Sequence, residues 1–241
     1  MSGQTTQLVI DSQDQARDTE NLRTMNRLTR VAALVGVLVF SGVIGLTVSG
    51  DALAKDSNKQ SAEAFRAEMR RLWEDHIVWT RQYIVSAATS DVALPDADET
   101  LARLLANQDD IGSAVAVYYG DAAGDALAAL LKDHISIAGQ LVADVKAGSA
   151  DAAATQAAWF ANADDIATFL ASANPANWPF EMMRDHMYAH LTLTADEAVA
   201  RIQGRYADDI AAYDQIHVQI LGMADMLAGG IVAQFPNRFS R

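Results

Sequence analysis

The chain has no cysteine, only four prolines among 241 residues, and far fewer basic side chains (18) than acidic ones (31). Each shortage excludes something. Without cysteine there is no disulfide, thiolate metal site, iron–sulfur cluster or c-type haem attachment, although this decides nothing about compartment. Scarce proline, abundant alanine, and glycines gathered near segment ends favour helix over sheet. The formal charge is -13, and four basic against five acidic side chains in the first 54 residues leave -12 on the remainder. Such a surface repels nucleic-acid phosphates, and solubility alone is reason enough for it. Nucleophilic motifs are missing too. There is no Gly-x-Ser-x-Gly elbow, no Ser-His-Asp context and no glycine-rich phosphate loop. The GDAAGDA stretch from Gly120 opens a helix, but its two aspartates would repel an anion there.

What is present begins with one long apolar run. Residues Val31 to Val48 read VAALVGVLVFSGVIGLTV, without a charge. That is the lower end of the length a membrane-spanning helix requires. Arg23, Arg27 and Arg30 precede it, whereas Asp51, Lys55 and Asp56 follow. By the positive-inside rule the N-terminus is cytoplasmic and the rest of the chain lies outside, in a bacterial cell envelope. Ala52 and Ala54 occupy the small-residue positions of a signal-peptidase site, so secretion after cleavage at Ala54 competes with an uncleaved anchor. Against cleavage, the run exceeds the about 7 to 15 residues usual for a signal peptide's apolar core. The expected organisation is a cytoplasmic segment 1–30, a transmembrane anchor or signal peptide 31–54, and an extracytoplasmic domain 55–241. The membrane is a partner through residues 31–48 if the anchor stays.

In that domain apolar and aromatic residues recur at Phe65, Met69, Leu72, His76, Trp79 and Tyr83, one face of a long helix from Asp56 to Ala88. Pro95 marks a break, with Asp96 or Asp98 able to cap the next helix. A helical stretch to Asn107 and a second short one to Tyr119 follow, then a helix from Ala122 to Ala147, closed by Gly148. Ala150 to Ala171 is another helix, ended by Asn174-Pro175. Pro179 opens a short helix through His190. Thr194, with Glu197 three residues on, reads as a capping box for a last long helix to Phe235. The fold class is all-α: an N-terminal transmembrane or signal helix, then an antiparallel bundle of about four long helices with short ones between.

Several segments carry a resemblance: LWEDHIVWTR from Leu72, KDHISIAGQLV from Lys132, WFANADDIATFLASANP from Trp159, MYAHLTLT from Met187, and RYADDIAAYDQIHVQILGMADMLAGGIVAQFP from Arg205. Together they resemble a family of small exported or membrane-anchored bacterial helical-bundle proteins without an established activity. The likeness runs from about Arg70 to Phe235. It implies a domain type and includes His76, Trp79, Arg81, His134, Asn162, Asp165, His190, Asp209, Asp214 and Asp225.

The placement of polar residues is the second signal. His76 falls between Leu72 and Trp79, and His134 between Leu131 and Ala138, both within apolar stripes. A polar group there needs a partner or costs about 1 to 3 kcal/mol. Asn162 and Asp165 lie three apart near Phe169, and Tyr206, Asp209, Tyr213 and His217 follow the spacing of one helical face. Two readings remain open. Each imidazole pairs with a carboxylate such as Asp165 or Asp209 and fixes helix register, or imidazoles and carboxylates from facing helices hold a divalent metal ion. For the second, His76, His134, Asp165, His190 and Asp209 are the candidate ligands.

A ferritin-like di-iron site is not expected, because neither His76 nor His134 ends a Glu-x-x-His motif. His186 and His190 are four apart but lack the glutamate of a zinc-protease motif. The methionines Met182, Met183, Met187, Met223 and Met226 read as core filler and the four tryptophans as packing. The chain therefore reads as a non-enzymatic binding or accessory module, with a protein partner in the envelope or a small ligand. The competing class is a metal-binding or metal-dependent protein using the bundle-core His and Asp residues.

Overall fold

The computed structural model describes residues 60–89 and 92–240. The expected cytoplasmic segment 1–30 and the anchor or signal at 31–54 lie outside the described residues. Within them are six long helices and no β-strand: α1 (Ala62–Ala88), α2 (Ala97–Tyr119), α3 (Asp121–Ala147), α4 (Ala152–Ala173), α5 (Phe180–Ile202) and α6 (Tyr206–Gln234). A single 3-10 turn, Pro236–Arg238, follows.

Helix α1 starts where Ser61 Oγ accepts the Ala64 N–H at 3.0 Å, which satisfies one of the free donors of a first turn. Its buried row Phe65, Met69, Leu72, His76 keeps the expected spacing of four, three and four. Where the sequence suggested two short helices before Tyr119, α2 is continuous over 23 residues. The polar run Asn107-Gln108-Asp109-Asp110 resembles a break. In fact Asn107 and Gln108 are buried beside Leu104, Ile111 and Val115, and only the two aspartates reach solvent. At the junction of α2 and α3 the two backbones touch, since a Cβ on Gly112 would stand 2.6 Å from the Gly124 carbonyl oxygen. Only glycine permits that approach.

The largest correction concerns the C-terminal third. Thr194 and Glu197 do not form a capping box. Both lie inside α5, which continues to Ile202, while the true break is Gln203-Gly204-Arg205. Gly204 adopts φ +70°, its N–H reaches the Arg201 carbonyl, and the Arg205 N–H reaches the Ala200 carbonyl at 2.9 Å. This paired closure of the last turn needs a left-handed residue, hence glycine. The bundle thus has six helices of comparable length rather than four long and several short ones.

Successive helices pack side by side through short connections, and α6 returns against α1, so the six form a closed ring of antiparallel neighbours. Across its middle α1, α3 and α5 also touch one another. These three run in the same direction, so residues at matched heights on them meet at the axis. The core includes Met69, Ile77, Leu131, Ile166, Leu191 and Ile220. Helices α3 and α6 are long and apolar enough to cross a membrane by length and composition. Both are packed elements of this bundle, and core helices meet the same criterion.

Candidate functional site

Two clusters of buried polar residues lie in the bundle, at different heights and of different chemistry. In the first, the axis-facing helices α1, α3 and α5 each contribute one histidine. His190 stands between the others, its ring 5.8 Å from that of His76 and 6.5 Å from that of His134. All three side chains are buried. Their polar neighbours are amides. His76 Nδ1 lies 3.2 Å from Gln108 Nε2, and His134 Nδ1 lies 2.8 Å from Asn162 Oδ1. Because the Asn162 oxygen accepts, His134 carries its proton on Nδ1 and presents Nε2 as an acceptor. Asn162 donates in turn to the Leu130 carbonyl at 3.1 Å. Gln108 donates to the Leu104 carbonyl at 2.8 Å.

Burial penalises the imidazolium form, and adjacent rings add repulsion for His76 and His134. His134 is brought down to about 3 and His190 to about 4, while His76 lies well below its ordinary 6.5. The layer is neutral at physiological pH.

The second cluster joins α1, α5 and α6. The Arg81 guanidinium grips the Asp209 carboxylate with both terminal nitrogens and reaches Glu197 Oε1 at 2.7 Å. Arg201 stands 3.3 Å from Asp209 and donates to Thr89 Oγ1 at 3.1 Å. Asp209 and Glu197 are almost wholly buried. Tyr213 and Tyr206 lie under the Arg81 and Arg201 guanidinium groups. Asp209 has two cations beside it. Glu197 shares Arg81 with that carboxylate, and burial prevails over the remaining attraction, raising it from 4.5 to about 7.

A cavity of about 120 Å³ opens among α1 to α5. Its walls are mainly apolar, including Ile84, Leu104, Ile135, Val142, Ala198 and Ile202. Thr80, Ala138 and Thr194 line it, each one helical turn beyond His76, His134 and His190. The histidine layer therefore lies one helical turn from these lining residues. Trp159 forms another part of the wall, its ring 5.2 Å from that of His134. Buried polar atoms without a protein partner include Trp159 Nε1 and Thr194 Oγ1, on residues that line the cavity, and His134 Nε2, His190 Nδ1 and Gln108 Oε1 in the histidine layer.

Of the five candidate ligands, His76, His134 and His190 come together. The two aspartates do not join them. Asp165 is exposed on the outer face of α4, and the residue that reaches His134 from that helix is Asn162. Asp209 belongs to the arginine cluster. The expected carboxylate partners of the histidines are thus amides instead. On α6 the inward row is Ala212, Ile216, Ile220, Met223 and Leu227, and of the polar row foreseen there only Asp209 is buried. His217 instead bonds Glu74 at 2.9 Å near the surface. His186 is half-buried, away from the axial trio, with its carbonyl accepting from Gln219. Among the described residues no group of three or more His, Asp or Glu side chains is placed to hold a metal ion.

Sequence reasoning missed Gln108, Arg201 and Glu197. Gln108 lay beyond an assumed helix end, although its spacing of four from Leu104 continues the buried row. Glu197 was assigned to a cap. No protein-family model, curated protein or solved structure matches the chain.

Proposed function

We propose that the chain is a non-enzymatic binding module of the cell envelope, held by the 31–48 segment or released after Ala54, whose bundle takes a small apolar ligand in the cavity beside the histidine layer. The observation that supports this is a mainly apolar cavity walled by five helices, one helical turn from the histidine layer. Ligand sites are commonly apolar clefts with a few convergent polar groups. The arginine cluster, by contrast, has its charges matched and serves as a register lock between α1, α5 and α6.

A ligand that binds only the folded chain raises its unfolding midpoint. Benzene, added to the full-length protein, should raise that midpoint in a dose-dependent way. An Ala198→Leu variant, with the cavity partly filled, should respond far less. No shift in the parent chain, or equal shifts in both, would remove the cavity from consideration. The envelope location is tested separately, by a reporter active only outside the cytoplasm fused after Arg241, and silence of that reporter would reverse the topology.

The metal-dependent reading rests on the bare Nε2 of His134 and Nδ1 of His190. Zinc requires ligand atoms at about 2.0 to 2.2 Å from one point, so this reading needs side-chain movement. A zinc-induced rise in midpoint that disappears in His134→Ala supports it, and no rise dismisses it.

A further inference from the structure

We infer that the bundle holds a second, separate site: an apolar void of about 20 Å³ across the histidine layer from the larger cavity, which takes an apolar gas of one or two heavy atoms, the class that includes dioxygen. It stands on observations independent of the cavity reading above.

The void is walled by all six helices, and every residue lining it is buried. Trp73, Leu131 and Met187 line it, each three residues before His76, His134 and His190 in turn. Thr80, Ala138 and Thr194, which line the larger cavity, each come four residues after the same histidines. Because α1, α3 and α5 run in the same direction, the two spaces lie at different heights along the axis, with the imidazole layer between those heights.

Size and chemistry select the occupant. One water needs roughly 10 to 15 Å³ of such space and two to four polar partners. The space suffices, but no polar atom forms part of the wall, and the unpartnered indole nitrogens of Trp73 and Trp178 do not surface in it. Water would lose its hydrogen bonds there, so the void stays dry. A ring is excluded as well, since an apolar cavity that takes benzene measures about 150 Å³. An apolar gas has no hydrogen bonds to lose and gains dispersion contacts with a wall that otherwise faces nothing. Three of the lining side chains are methionines, Met69, Met187 and Met223, whose polarisable thioethers suit such contacts.

Those methionines also supply the test. Dissolved dioxygen is paramagnetic and speeds the relaxation of nuclei near it. The full-length chain, labelled at its methionine methyl groups, is compared by NMR under dioxygen and under nitrogen. The methyls of Met69, Met187 and Met223 should relax severalfold faster under dioxygen. Met183, also buried but outside the wall of the void, should change little. In Val115→Ile, which adds a methyl group to a lining residue, the enhancement should fall severalfold. Benzene, offered to the larger cavity, should leave it intact.

Three results would overturn the site: no enhancement at the three methionines, an equal enhancement at Met183, which means gas permeating the whole core, or an undiminished enhancement in Val115→Ile. Loss of the enhancement under benzene would show that the two spaces are one, which ends the separate site and leaves the cavity reading in place. The comparison among methionines in the parent chain decides the matter even if Val115→Ile folds poorly.

Discussion

The two buried polar clusters solve the same problem in opposite ways. In the Arg81, Glu197, Asp209, Arg201 group charged side chains enter the interior, but each carboxylate meets a guanidinium and Asp209 meets two. In the histidine layer no charge enters. Burial holds each ring in its neutral, singly protonated form, and amides supply some of their hydrogen bonds while several polar atoms remain bare. A closed network has little left with which to recognise anything else. An incompletely satisfied layer beside an apolar cavity retains that capacity, and so the functional reading falls on the histidine side. The comparison also predicts different responses to mutation and to pH.

The largest effect should come from opening the closed network. Arg81→Met leaves Asp209 with only Arg201 and takes from Glu197 its hydrogen-bonded cation, both carboxylates lying deep in the bundle. Breaking one side of a buried ion pair costs about 3 to 5 kcal/mol. Urea unfolding of this variant should show a loss of that order. Adding Asp209→Asn and Glu197→Gln should recover much of it, since neutral amides are less costly to bury than orphaned carboxylates. A loss below about 1 kcal/mol in the single variant would mean that the cluster is solvated in solution.

Proton binding should distinguish the clusters next. Glu197 has a folded value near 7, above its ordinary 4.5, so the folded chain holds a proton that the unfolded chain releases. Its contribution is fully present below about 4.5 and fades as pH rises through 7. The histidines run the other way. Their folded values lie below the ordinary 6.5, so the unfolded chain takes up protons first. Stability is then retained above about 6.5 and lost as pH falls toward 4 and 3. Each fully titrating group changes stability by about 1.4 kcal/mol per pH unit. Between pH 4.5 and 6.5 the two trends oppose each other in the parent protein. In Glu197→Gln the histidine loss stands alone, so unfolding measured from pH 7 to 4.5 should fall more steeply than in the parent. Parallel curves would show that Glu197 stays ionised beside Arg81.

The same contrast explains what could be read from sequence. His76 and His134 sit in stripes whose spacing is unambiguous, and both are buried as the periodicity required. That they are joined by His190 depends on α1, α3 and α5 running in parallel and meeting at the axis. Helix count decides this, and the count was misjudged at two places. Asn107-Gln108-Asp109-Asp110 has the composition of a turn, yet two of its members point inward and find partners there. Thr194 and Glu197 match a capping pattern that also occurs inside helices, and Glu197 uses its carboxylate on Arg81, 116 positions away in sequence. Asp165 failed for a local reason. On α4 the buried row is Trp159, Asn162, Ile166 and Leu170, and Asp165 lies about 100° of helical rotation behind Ile166, on the solvent side. The cavity left no local signal, because its walls come from five helices.

The smallest expected effect also has the opposite sign. Thr194 Oγ1 is buried and unpartnered, and in a helix that hydroxyl usually reaches back to the carbonyl four residues earlier. Here Thr194 Oγ1 makes no such bond, whereas Thr80 Oγ1 does, to the His76 carbonyl at 2.8 Å. Replacing the hydroxyl of Thr194 by a methyl group removes a desolvated dipole and sacrifices no protein hydrogen bond. Thr194→Val should therefore leave the ligand-free chain as stable as the parent, or more stable by up to about 1 kcal/mol. Thr80→Val deletes a bond that exists and should lose about 0.5 to 1.5 kcal/mol. The two substitutions are chemically identical, both residues line the cavity, and they lie on facing helices. A difference in sign between them, read from urea midpoints, would show that the Thr194 hydroxyl is held for something other than stability. Equal losses would mean that Thr194 finds a partner within the folded chain, and the cavity's polar end would then be closed in the same manner as the arginine cluster.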